Sequence, residues 1–176
     1  MTLPFKPNLV SNPSFRDGTD GWVALDSTIS ALSTGGYGTG PQCLQVQKSA
    51  VVYSGVESSR TISINARGES NVYTASAYVN IPTGQANGTL MLSIMWYTAG
   101  RSFISSSDST ATAITAGTTW TRLTKANVTP PTNARYASIR VVQTTLGSDG
   151  DGDVLHLDAV HRQGLLQRQP LRADAG

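Results

Sequence analysis

Two glutamates, two histidines and one cysteine are all that this 176-residue chain offers to acid–base, metal or redox chemistry beyond its aspartates. Charged residues make up only 14% of it. A lone cysteine, Cys43, excludes an internal disulfide and any multi-cysteine metal site, and is expected to act as a small buried hydrophobe. His156 and His161 stand five apart and are not placed to share a metal. Glu57 and Glu69 both sit beside turn-like residues. No paired carboxylates, no supported Ser-His-Asp order and no phosphate loop are present, so the chain reads as a non-enzyme. No cofactor is expected.

Long apolar runs are missing too. Met1-Thr-Leu-Pro-Phe-Lys-Pro7 is too short and too polar for a secretory leader, and nothing is long enough to span a bilayer. The expectation is a chain made in a host cytoplasm, without membrane insertion. A formal charge of +2 spread over scattered basic residues lacks the dense stripe that nucleic acid demands. Amphipathic helical periodicity is absent as well.

What remains is Ser, Thr, Gly and Ala interleaved with short alternating segments. Val23–Leu32, Cys43–Gln47, Val51–Tyr53, Arg60–Ile64, Val72–Ile81, Thr89–Tyr97, Trp120–Val128, Tyr136–Thr144 and Val154–Val160 read as strands. The polar run Ser105–Thr119 reads as a weak edge strand and a turn. That spacing predicts an all-β fold, an antiparallel two-sheet jelly-roll β-sandwich. Residues 1–7, with two prolines, read as an extended arm. The sandwich takes 8–160, and 161–176 reads as a basic tail without a core face.

The stretch Asn8-Leu-Val-Ser-Asn-Pro-Ser-Phe-Arg-Asp-Gly-Thr-Asp-Gly-Trp22 resembles the first strand of the jelly-roll carbohydrate-binding modules, whose form is N-L-x-x-N-P-S-F-E-x-G-x-x-G-W. Tyr73-Thr-Ala-Ser-Ala-Tyr-Val79, Leu92–Gly100, Trp120–Thr124, Ala137–Gln143 and Leu155–Val160 resemble later strands in the expected order. The resemblance implies a galactose-binding-like jelly roll of the kind also found in phage minor tail proteins. Many members hold a structural Ca²⁺ between the carboxylate after that phenylalanine and an aspartate on the last strand. Here those positions are Arg16 and Asp158, and a guanidinium cannot ligate Ca²⁺. An Arg16–Asp158 ion pair is expected in its place, and no metal. Asp149-Gly-Asp-Gly-Asp153 lacks the downstream glutamate of a calcium loop and reads as a solvated turn.

Alternation separates the faces of the strong strands. Tyr73, Ala75, Ala77, Val79 and Ile81, then Leu90, Leu92, Ile94 and Trp96, then Ala137, Ile139 and Val141 are expected inside. Trp22 and Trp120 are expected in the core as well. If the three opposite faces share one sheet, Tyr78, Asn80, Tyr97, Ser138 and Arg140 form a glycan-binding platform, with aromatic faces for pyranose C–H groups and polar groups for hydroxyls. The expected role is that of a non-catalytic phage virion protein, a minor tail component adhering to host cell-surface polysaccharide. The alternative is a virion structural or capsid-decoration protein that uses the sandwich for protein contacts. In either case the arm and tail would dock on other virion proteins, with oligomerisation in the particle possible.

Overall fold

A computed structural model describes residues 8–38, 42–49, 51–60, 62–64, 71–145, 154–158 and 166–170. Thirteen strands occur among them and no helix. They are β1 (Trp22–Leu25), β2 (Ser27–Leu32), β3 (Cys43–Lys48), β4 (Gly55–Ser58), β5 (Ile62–Ser63), β6 (Asn71–Asn80) and β7 (Gly88–Tyr97). β8 (Phe103–Asp108), β9 (Thr112–Ile114), β10 (Thr121–Val128), β11 (Tyr136–Thr145), β12 (Val154–Asp158) and β13 (Leu166–Pro170) follow. One sheet of seven strands runs β1-β4-β11-β7-β8, with β5 beside β11 and β9 beside β7. The other, of six, runs β10-β6-β12-β3-β2, with β13 beside β6. The jelly-roll β-sandwich expected from the sequence is the fold. The arm 1–7, the turn 149–153 and most of the tail lie outside the described residues.

The inward faces are those that alternation assigns. Tyr73, Ala75, Ala77, Val79 and Ile81 from one sheet meet Leu90, Leu92, Ile94, Trp96, Ala137, Ile139 and Val141 from the other in one buried cluster. Period-two side chains put all of these on one side of their sheets, so each strand contributes every second residue to a single apolar layer. Trp22 and Phe15 join it, with ring centroids 5.3 Å apart. Cys43 is buried as expected.

The opening motif works through Asn12. Its side-chain amide donates to the carbonyls of Gly18 and Asp20, both at 3.0 Å, while its Oδ1 accepts the Asp17 N–H at 3.2 Å. Its own carbonyl accepts the indole N–H of Trp22 at 3.2 Å. One asparagine thus ties the glycine loop shut and hands Phe15 and Trp22 to the core.

Three expectations change. The predicted strand Val23–Leu32 is broken at Asp26, whose φ of +42° turns the chain from one sheet into the other. The corner is held by the Asp26 carbonyl, which accepts the hydroxyls of Ser49 and Ser54, each at 2.6 Å. Val51–Tyr53 is an exposed turn rather than a strand, and β4 begins two residues later at Gly55. A Cβ on Gly55 would lie 2.1 Å from the Val141 carbonyl oxygen, so only glycine lets β4 approach β11. In the tail, Leu166–Pro170 pairs antiparallel with Asn71–Ala75 of β6, beside the stretch of β6 that β12 occupies. Strand addition of this kind uses main-chain groups and needs no apolar periodicity.

Candidate functional site

The condition for the expected platform fails. β7 and β11 are hydrogen-bonded neighbours in the seven-stranded sheet, but β6 lies in the six-stranded one. Tyr97, Ser138 and Arg140 therefore share a face, while Tyr78 and Asn80 belong to the opposite outer surface of the sandwich. Strand alternation is local, whereas the choice of sheet depends on pairings far apart in the chain, so one could be read and the other could not.

The three that remain together converge on a residue without an assigned role. Glu57, on β4, is directly opposite Arg140 on β11. Its Oε1 accepts the Tyr97 hydroxyl at 2.6 Å and the Ser138 hydroxyl at 2.6 Å. Its Oε2 accepts Arg140 twice, from Nη2 at 2.7 Å and Nε at 3.2 Å. Arg60 adds a weaker contact to Oε1 at 3.4 Å. Glu57, Tyr97 and Ser138 are 3%, 1% and 0% exposed, although they lie on the sheet face turned away from the core. Burial alone would push the Glu57 carboxyl up; the Ser138 and Tyr97 hydroxyls and Arg140 outweigh it and hold the group below the ordinary carboxylate range. Burial, then the hydrogen bond to Glu57, pushes the Tyr97 phenol up. The network is thus an ionised glutamate with a neutral tyrosine donating to it.

Over this floor stands a half-exposed rim. Tyr136 is paired with Tyr97 across the strands, and Tyr97 with Phe103. The Arg60 guanidinium lies 4.7 Å from the Tyr97 ring centroid, and that of Arg101 lies 3.6 Å from the Tyr136 centroid. Phe103 packs edge-on against Tyr97 at 6.1 Å and is 56% exposed. Ser93 and Met95 continue the buried floor along β7. Glu57, Arg60, Arg101 and Phe103 were not singled out as binding residues from sequence. Apart from Arg60, three residues on, Glu57 meets partners 40 to 83 positions away, and no local pattern carries that information.

On the other outer surface, Tyr78 stacks on Tyr37 with centroids 3.8 Å apart and planes at 12°. Trp120 meets Tyr37 edge-on at 6.2 Å. It is half-buried and stands outside the core cluster, unlike the core position expected for it. Arg122 reaches over Tyr78 at 5.9 Å and donates to the Ser76 hydroxyl at 3.1 Å. The Asn80 amide donates to the carbonyls of Gly117 and Thr119, at 2.9 and 3.0 Å, and so fixes the turn before Trp120. Both amide hydrogens are spent on the fold.

Arg16 is exposed, and the Asp158 side chain lies outside the described residues, so the expected pair is not placed. The Asp158 backbone pairs with Tyr78. Among the described residues no group of three or more His, Cys, Asp or Glu could hold a metal ion.

The family model described as a carbohydrate binding domain matches residues 7–146. The chain belongs to that family, one of non-catalytic binding modules. Its fold is similar to the CBM22-1 xylan-binding domain of a Paenibacillus barcinonensis xylanase, at 17% identity and a TM-score of 0.67, covering 98% of this chain and 99% of that one. It is also similar to the CBM22-1 and GH10 modules of a Clostridium thermocellum endo-1,4-beta-D-xylanase solved with xylohexaose, at 16% identity and a TM-score of 0.61. That match covers 96% of this chain but only 29% of the xylanase chain. The enzymatically active domain of tailspike protein 4 from bacteriophage CBA120 is similar at 14% identity and a TM-score of 0.57, over 93% of this chain and 21% of that one. No curated protein sequence matches the chain.

Proposed function

We propose that the outward face of the seven-stranded sheet binds a polysaccharide, and that the chain is a non-catalytic adhesion domain of a phage virion, in a tail component. The observation that carries the binding reading is the pairing of a buried, fully satisfied polar floor with an aromatic and guanidinium rim. Glu57 fixes Tyr97, Ser138 and Arg140 in place. Phe103 stands beside them with ring surface available, and half-buried Tyr136 carries the Arg101 guanidinium over its ring. Such a surface is preorganised, so little side-chain freedom is lost when a sugar arrives. Aromatic surface can stack on pyranose C–H groups while guanidinium and hydroxyl groups meet the hydroxyls. Membership of a carbohydrate binding domain family supports the same reading. The virion placement draws its support from the opening motif and from the occurrence of this sandwich fold in a phage tailspike.

Affinity electrophoresis through gels containing cell-wall polysaccharides, xylan and neutral glucans tests the proposal. Wild type should be retarded by at least one of them. Tyr136→Ala and Phe103→Ala should abolish most of that retardation, and Tyr78→Ala should leave it. Retardation by none of the polysaccharides would overturn the adhesive reading in favour of a structural or decoration role through protein contacts. Loss with Tyr78→Ala but not Tyr136→Ala would move the site to the other sheet.

A further inference from the structure

The rim is not electrically neutral at both ends. Around Arg140 the guanidinium charge is answered by the Glu57 carboxylate, whose Oε2 accepts two N–H groups. At the Tyr97–Tyr136 end it is not. Arg60 touches Glu57 only through Nε at 3.4 Å, and its side chain is 52% exposed. Arg101 makes no ion pair or side-chain hydrogen bond among the described residues, and its Cζ stands over the Tyr136 ring, 3.6 Å from the centroid. The carboxylate of Asp108 is on the row of Ser93, four residues along β7 from Tyr97 and so about 13 Å away.

Stacking on a ring uses the face of a guanidinium and leaves its in-plane N–H fork unengaged, the geometry that a carboxylate matches with two parallel hydrogen bonds. Because Tyr97 and Tyr136 are directly paired, the two guanidiniums sit over neighbouring rings. The Arg101 fork has no carboxylate among the described residues, and that of Arg60 has only the 3.4 Å contact from Nε to a Glu57 already held by Arg140. This excess of positive charge is complementary to an acidic group rather than to a neutral hydroxyl.

The backbone points the same way. Arg101 occupies the left-handed position of the β7–β8 hairpin with φ +64°, closed by Arg101 N–H donating to the Thr98 carbonyl at 3.1 Å. That conformation favours glycine, asparagine or aspartate, and disfavours a long side chain. A glycine is adjacent, at Gly100, yet the left-handed residue is the arginine. Asp26 takes the same region to turn a corner of the fold, whereas at Arg101 the residue so held is exposed and its side chain is laid over a candidate binding ring.

We propose that the Tyr97–Tyr136 end of this face takes the carboxylate of an acidic saccharide, a uronate unit within the polymer, with Arg101 and Arg60 as its two guanidinium partners. The proposal rests on the saccharide reading above and narrows it to a substrate class.

The test uses affinity electrophoresis in polygalacturonate, alginate and glucuronoxylan, each run beside its carboxyl-reduced counterpart. Wild type should bind at least one acidic polymer about tenfold or more tightly than the reduced form, as a hydrogen-bonded charge pair predicts. Arg101→Gly, which suits the left-handed turn and so keeps the fold, should erase most of that preference. Arg60→Ala should reduce it, and Arg101→Lys should restore only part. Arg122→Ala, which removes the same charge from the opposite sheet, should leave it unchanged. Equal binding to the acidic and reduced forms, or an equal loss with Arg122→Ala, would overturn the acid preference and leave the saccharide reading standing. Binding to no polysaccharide, acidic or neutral, would overturn both.

Discussion

The two outer surfaces of the sandwich are built on opposite principles. On the seven-stranded sheet a buried carboxylate gathers two hydroxyls and a guanidinium, and arginines close over the aromatic rings beside it. On the six-stranded sheet two tyrosines stack face to face, a tryptophan leans on them, and the polar groups present hold turns. The first arrangement is a network in which every member satisfies another, so removing one leaves the rest unpaired in a poorly hydrated place. The second is a sum of surface contacts, each nearly independent of its neighbours. What the contrast teaches is how each face is held: the charged one by a shared buried acceptor, the aromatic one by ring contacts.

The largest effect should come from breaking the charged face at its centre. Glu57→Ala leaves the buried Tyr97 and Ser138 hydroxyls and the Arg140 guanidinium, 27% exposed, without their shared acceptor, and should cost about 1–3 kcal/mol by chemical denaturation, the range for buried polar groups left unsatisfied. Glu57→Gln keeps the shape and should cost less. The double variant Glu57→Ala/Arg140→Ala should be less destabilised than the sum of the singles, because the second substitution removes a group the first had stranded. Additive losses would show that the four residues are neighbours rather than a network.

Titration separates the two faces next. The Glu57 carboxyl lies below its unfolded value in the folded protein. Its contribution is complete above the unfolded value of about 4.3 and is lost as the pH falls through the lower folded value. The Tyr97 phenol is raised, so its contribution is present below about pH 10 and is lost as the pH rises through the folded value. On the other sheet His156 is lowered by burial. Its neutral form is favoured in the folded state, and stability should begin to fall as the pH drops below about 6.5. Acid denaturation should therefore show two components, the upper removed by His156→Gln and the lower by Glu57→Gln. A profile that neither substitution changes would remove this distinction between the faces.

The division between legible and illegible follows range. Alternation along β6, β7 and β11 placed every inward residue correctly, because a two-residue period is a property of one strand. Asn12-Pro13 and Trp22 were legible as a turn and a core anchor, since their partners lie within ten residues. The sheet to which β6 belongs was not legible. It depends on pairing with β10 and β12, 42 to 55 and 76 to 80 positions further along the chain. The break at Asp26 was hidden as well: aspartate tolerates the left-handed region, but nothing around it marks a corner until Ser49 and Ser54 arrive to hold its carbonyl. For the same reason Glu57 looked like a turn residue. Its chemistry exists only once β4, β7 and β11 are side by side.

The smallest effect should come from the aromatic face. Tyr37 stands in the glycine-rich segment Gly35-Gly-Tyr-Gly38, where Gly35 and Gly38 take φ of +85° and +62°, and its ring covers Tyr78. Tyr37→Ala removes one stacked pair, one edge contact and a side-chain hydrogen bond with Tyr78. Asn80 keeps its two carbonyl acceptors and Arg122 its contact with Ser76. The loss should therefore be well below that of Glu57→Ala and additive with Glu57→Gln. Polysaccharide retardation should be unchanged. A loss as large as that of Glu57→Ala, or coupling to it, would mean that the six-stranded sheet is held by its outer face as firmly as the seven-stranded one.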